Sequence, residues 1–306
     1  MDITELTSRR RFMQTGALAL AGLGIASPML PAAEPFARTG PTRLQLSLAA
    51  YSFRQFFTKP GSKALDMFQF IDFCAEHGCV GTELTSYYFP KDLTDEYLLD
   101  IRKHAFLRGI AISGTAVGNT FTQRPGPERS QQIAAVKQWV DHAALMGAPH
   151  IRIFAGNLQQ GMTQAEAKQL CIDAIDECAD YAGRKGIFLG IENHGGIVAD
   201  VQDLLDIVRA IKSPWVGINL DTGNFHSEDP YADLALCAPY AVNVQVKVEI
   251  RRKGQSKSEP TDLTRIVKLL RDANYQGYVA LEYEAKPDPW IHVPLWLQKM
   301  QEAFVR

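Results

Sequence analysis

The chain has 306 residues, of which 46% are hydrophobic and 22% charged, enough for one large buried core. Its net charge of −2 and pI near 6.4 provide no electrostatic footprint for nucleic acid or for an anionic membrane surface. Five cysteines (Cys74, Cys79, Cys171, Cys178 and Cys237) form no CxxC or Cys/His cluster, so they read as core thiols rather than a disulfide framework.

The first 33 residues differ in kind from the rest. Ser8-Arg9-Arg10-Arg11-Phe12-Met13 precedes an apolar run from Ala17 to Ala26, with small residues at Ala32 and Ala33. The run is short for a bilayer span, and the arrangement is that of an export signal. The basic hexapeptide resembles the twin-arginine motif. That resemblance implies a bacterial protein carried folded to the periplasm or the cell surface, with no membrane anchor after processing. A basic N-terminus ahead of a core helix is the alternative. The expected organisation is a twin-arginine signal peptide over 1–33, a linker over 34–43 and one catalytic domain over 44–306.

From residue 44 the chain alternates. Strand-like apolar runs fall at Leu44–Ala50, Val80–Leu84, Ile110–Ala116, His150–Ala155, Ile187–Asn193, Trp215–Asp221, Ala241–Val248 and Gly277–Tyr283. Helical patterns lie between them, several closing on a glycine just before the next strand, as a helix C-cap does. Eight such units over about 260 residues predict an α/β fold, a single (β/α)8 TIM barrel. A doubly wound open sheet is the alternative, but no glycine-rich phosphate loop follows the first strand.

Alternation then assigns faces. In "NVQVKVE" (243–249) the valines pack outward against helices, which turns Gln245 and Lys247 into the barrel. The same parity turns Glu83, Glu192 and His194, Asn219 and Asp221, and Glu282 and Glu284 inward. Most of these stand near C-terminal strand ends, where barrel enzymes build their sites. Glu192, Asp221 and Glu282 in one mouth would repel unless a cation sits among them, and a divalent metal is the expected one. Salt bridging to Arg152, Lys247 and Arg251 is the alternative.

As a set, "GIENH…NLDTGN…VQVKVEIR…ALEYE" resembles the xylose isomerase-like barrel superfamily, and within it the sugar and sugar-phosphate isomerase/epimerases related to ketose 3-epimerases. The likeness covers about residues 44–304. It implies one divalent ion on Glu192, Asp221, Gln245 and Glu282, with Glu192 and Glu282 as the acid–base pair on opposite sides of the sugar. Arg251, six residues after Gln245, matches a substrate-contacting arginine. Glu83, His194, Asn224 and Lys247 complete the candidate substrate-binding set. The pattern departs from those epimerases at Gln245 and Asn224, where they carry histidine. An all-oxygen ligand shell favours Mg²⁺ or Mn²⁺, with Co²⁺ or Zn²⁺ as alternatives. A purely structural Gln245, hydrogen-bonded to Glu282, is the other reading of that residue. His226 follows strand six, whereas His77, His104 and His142 read as helical packing or surface residues.

The expected activity is isomerisation or epimerisation of a keto-sugar or sugar derivative by proton transfer through an enediolate. A lyase or deglycosidase acting on 3-keto-glycosides would use the same site. A nuclease like endonuclease IV would need more histidines near strand ends, and a non-catalytic sugar-binding barrel would not need two poised carboxylates. The expected partner is a small carbohydrate, with a homo-oligomer left open.

Overall fold

A computed structural model describes residues 34–58 and 64–305. The expected export signal lies outside them. Among the described residues no helix is long and apolar enough to cross a membrane.

In chain order, β1 (Arg43–Ala49) leads to the short α1 (Arg54–Thr58) and to α2 (Met67–Glu76). Next come β2 (Gly81–Thr85), α3 (Asp95–Leu107), β3 (Ala111–Ala116), α4 (Pro127–Met146), β4 (His150–Ile153) and α5 (Gln164–Arg184). The second half holds β5 (Phe188–Glu192), α6 (Val201–Ala210), β6 (Val216–Asp221), α7 (Pro230–Cys237) and β7 (Ala241–Val246). A two-stranded excursion, β8 (Glu249–Ile250) with β9 (Glu259–Pro260), precedes α8 (Leu263–Asp272), β10 (Gln276–Leu281) and α9 (Pro289–Val305). Eight strands close a parallel barrel in the order β1-β10-β7-β6-β5-β4-β3-β2. The expected (β/α)8 barrel is the observed fold.

Local chemistry explains the helix ends. Asp66 with Gln69, and Thr163 with Glu166, form reciprocal capping boxes on α2 and α5. Gly147 ends α4 at φ 78°, a left-handed residue that leaves room to turn straight into β4. His77, read as helical, is the residue that ends α2. The outward strand residues Leu189, Ile191, Ile218, Leu220, Val244 and Val246 are wholly buried under the helices, as the alternation requires. All five cysteines are free and buried.

The N-terminal floor of the barrel is closed by rings. A Cβ on Gly114 would overlap the His150 imidazole, and one on Gly81 would collide with the Tyr278 ring. A Cβ on Gly217 would press on Phe36. Residues 34–42, expected as a linker, lie against this floor. The Phe36 amide donates to the Pro239 carbonyl at 3.1 Å, and its ring meets Phe188 edge-on at 5.8 Å. Arg38 lies over Tyr275 and donates to the Ala241 carbonyl.

Candidate active site

The opposite, C-terminal mouth collects charge. Glu192, the last residue of β5, is 4% exposed. Its Oε2 lies 2.9 Å from Arg152 Nε, and its Oε1 meets His194 Nδ1 at 2.8 Å and the Asn224 amide at 2.9 Å. Burial opposes ionisation of Glu192, but the Arg152 guanidinium and the His194 ring overcome it and hold the carboxyl below its ordinary value. The bond to Glu192 in turn raises His194. Arg152 also donates to the Val117 carbonyl at 3.0 Å and lies 3.9 Å over the Phe154 ring, so its position is fixed on three sides.

Lys247, just past β7, governs the other half. Its ammonium is 3.3 Å from Asp221 Oδ2 and 2.5 Å from both Glu282 Oε2 and Glu284 Oε2. Burial works against its charge, but the three acids more than compensate and hold it far above the usual lysine range. Asp221 is fully buried, and burial with its neighbouring carboxylates raises it well above an ordinary aspartate. Its Oδ1 accepts the Gly223 amide at 2.8 Å, while Oδ2 has no hydrogen-bond partner. The Asn193 side chain brackets the Asp221 backbone, accepting its N–H at 2.8 Å and donating to its carbonyl at 2.9 Å. The alternative of salt bridging thus describes the arrangement for Arg152 and Lys247, though not for Arg251.

One layer below, four side chains close a ring. Asn243 donates to Glu83 Oε2 (2.7 Å) and to Asn219 Oδ1 (2.8 Å), Asn219 donates to Gln245 Oε1 (2.6 Å), and Gln245 donates back to Glu83 Oε1 (2.5 Å). In its ionised form the Glu83 carboxylate only accepts, which turns the NH2 groups of Asn243 and Gln245 towards it. Two of the expected site residues have other partners in this arrangement. The Gln245 carbonyl is taken by Asn219 and its amide nitrogen faces Glu83 and Glu282, so the oxygen does not face the carboxylates as a metal ligand would. Glu83, expected to touch substrate, is fully buried with both oxygens occupied. Burial and the Glu282 charge raise Glu83 to about 7.

Of the remaining candidates, His194, Asn224 and Arg251 reach the rim, and Lys247 sits among the carboxylates with 7% exposure. The His226 ring nitrogens lie 3.1 Å from the Arg251 carbonyl and 3.5 Å from its guanidinium. Two cavities flank the mouth. One, of about 190 Å³, is lined by Asn119, Phe154, Asn157, Glu192, His194 and Val198. The other, of about 150 Å³, is lined by Asn224, His226, Lys247, Arg251, Ser258 and Glu284. Sequence reasoning missed the aromatic wall. Tyr51, Tyr87 and Phe154 each follow the end of a barrel strand by one or two residues, and that position was the available signal. It also missed Asn243, which shares the inward parity of Gln245.

The donor set for a cation is all oxygen. Four acids at the mouth (Glu192, Asp221, Glu282, Glu284) face two cations (Arg152, Lys247), so acidic groups outnumber basic ones. That acidic excess, and an Asp221 Oδ2 that accepts no hydrogen bond and meets the Lys247 ammonium only at 3.3 Å, fit a divalent ion. In the arrangement seen, no group of three His, Cys, Asp or Glu among the described residues is gathered closely enough to grip one. Lys247 stands between the acids instead.

Comparison with known proteins places this barrel. A putative hydroxypyruvate isomerase of Mus musculus is 24% identical over 166 residues, covering 50% of this chain and 60% of that protein's own length. A D-psicose 3-epimerase solved in the presence of D-fructose superposes with a TM-score of 0.67 at 19% identity, covering 85% of this chain and 96% of that one. The IOLI protein with a bound zinc atom superposes at 0.69 and 17% identity, with the same coverage. These structural likenesses establish the shared fold. The family described as xylose isomerase-like TIM barrel matches residues 71–300, three quarters of the chain, and the protein belongs to that family.

Proposed function

We propose that the protein is an exported isomerase or epimerase. It would move a proton between the carbons of a small hydroxy-carbonyl compound, a keto-sugar or a sugar derivative, with one divalent ion. The observation that carries this reading is the meeting of Glu192, Asp221 and Glu282 in one mouth, where acids outnumber cations and a buried Asp221 oxygen accepts no hydrogen bond. The relatives named isomerase and epimerase support the reaction class. The zinc-bound neighbour supports a metal, and the all-oxygen set favours Mg²⁺ or Mn²⁺.

The three carboxylates are the protein's share of the ion's shell. Gln245 could join only by turning its amide, which would set its NH2 against that of Asn219 and its carbonyl against the Glu83 carboxylate. Bound there, the ion would polarise a substrate carbonyl and acidify the neighbouring C–H. Glu192, held ionised by Arg152, is placed to take that proton. By the resemblance to the ketose epimerases Glu282, just past the end of the last barrel strand, would return one. Tyr51, Tyr87 and Phe154 offer faces for a sugar ring.

A second reading rests on the two cavities. A substrate in two parts, an oxidised sugar and a leaving group, would fill both, and proton removal would then expel an alcohol.

The test is proton exchange. In D2O with Mn²⁺ and a panel of ketoses and 3-keto-glycosides, deuterium should enter beside the carbonyl, and EDTA should stop it. An epimer without released alcohol supports the first reading, and a released alcohol supports the second. No exchange with any substrate at saturating Mn²⁺ rejects both.

A further inference from the structure

The Lys247 ammonium occupies the place between Asp221 Oδ2 and Glu282 Oε2. A divalent ion gripping those oxygens needs ligand distances of about 2.0–2.6 Å, which leaves no room for an ammonium on the same line. At about 4 Å the two cations would also repel each other strongly in a buried setting. Yet Lys247 has another partner on its outer side. Glu284 Oε2 already lies 2.5 Å from the ammonium, and its side chain is 39% exposed, against 8% for Glu282 and 0% for Asp221. The cavity beyond, lined by Lys247 and Glu284 themselves, gives the side chain somewhere to go. The Tyr51 ring, 6.0 Å from the ammonium, stands beside it.

We propose that Lys247 is an exchangeable internal counter-ion. It neutralises Asp221 and Glu282 when no metal is bound, and it withdraws onto Glu284 when a divalent ion enters. Lys247 is a positioning residue for the metal, and Glu284 is its receiver rather than a ligand. The inference rests on the metal reading above, and it adds a reason for a lysine to sit where its charge opposes the ion. One consequence is selectivity: the ammonium excludes monovalent ions, which cannot compete with it for two carboxylates, and admits divalent ones.

The test is a titration with Mn²⁺ alone, free Mn²⁺ being read by its paramagnetic resonance signal. It uses the full chain and the variants Lys247→Met, Glu284→Gln and the double variant, each checked for native melting. Lys247→Met should bind Mn²⁺ about tenfold tighter, because no ammonium has to leave. Glu284→Gln should bind several-fold weaker. In the double variant the Glu284 effect should vanish, giving the affinity of Lys247→Met. A Glu284→Gln penalty that persists in the Lys247→Met background would show that Glu284 attracts the metal directly, and would overturn the exchange. So would equal or weaker binding by Lys247→Met. If neither the parent nor any variant binds Mn²⁺, the metal reading itself falls. If all bind and Lys247→Met makes no difference, only the exchange falls.

Discussion

The two ends of this barrel are built from the same inward-facing positions and reach opposite results. At the C-terminal mouth, carboxylates crowd around two cations, and Asp221 is buried with one oxygen that accepts no hydrogen bond. At the N-terminal floor, Gly81, Gly114 and Gly217 make way for Tyr278, His150 and Phe36. Burial drives His150 down to about 4, so its ring there is neutral. The mouth gathers opposed charges where chemistry can use them, and the floor holds its one buried histidine neutral among packed rings. The comparison teaches that stability and reactivity are separated along the strand axis, as barrel enzymes in general arrange them.

The sharpest test of that separation is Glu282→Gln. Loss of one acid–base partner should cut the exchange rate by about a hundredfold or more. The urea midpoint should hardly move, because Lys247 keeps Asp221 and Glu284. A midpoint that falls as steeply as activity would show that the mouth is structural.

The floor is tested by acid. His150 is held at about 4, against an ordinary 6.5, chiefly by burial. Between those values the unfolded chain takes a proton that the folded one refuses, so stability is full above about 6.5 and falls as pH drops towards 4. The loss attributable to this group is about 3 kcal/mol. Glu83, raised to about 7, gains stability over part of the same range and offsets this loss in the parent. The measurement is therefore the difference in urea-unfolding free energy between parent and His150→Gln, which should change from pH 7 to 4 with a slope approaching one proton. A difference that does not vary with pH would show that His150 does not titrate with unfolding.

Gly114→Ala is a smaller floor effect. The new methyl must displace the His150 ring, at about 1–3 kcal/mol in unfolding free energy. Turnover of the remaining folded protein should be unaltered. Smallest is Phe36→Ala, which removes one edge-on ring pair and should cost about 1 kcal/mol by chemical denaturation. No change would mean that residues 34–42 cover the floor without supporting it.

The eight strands were legible because alternation and glycine-ended helices are local signals. Inward parity likewise placed Glu192, Asp221, Lys247 and Glu282 at the mouth. What could not be read was which group neutralises which. Arg152 and Lys247 were named as counter-ions of the same acids that a metal would hold, and choosing between the two needs distances across the barrel. The direction of the Gln245 amide was hidden for a similar reason. Asn219 and Asn243 set it from neighbouring strands, where β7 also shifts register against β6 between Ile218 and Asn219. Glu83 has the right parity but stands one layer too deep, so parity alone overstated its access.

The ring of Glu83, Asn243, Asn219 and Gln245 bears on how the chain assembles. Its acceptor comes from β2, in the first half of the barrel, and all three amides come from β6 and β7, in the second. A fragment ending after β4 would bury a carboxylate with no donors. A fragment beginning at β5 would hold a chain of amides with its last N–H groups unanswered. Neither half-barrel can therefore settle as a finished product, and two fragments cut between β4 and β5 would be expected to find and complete each other.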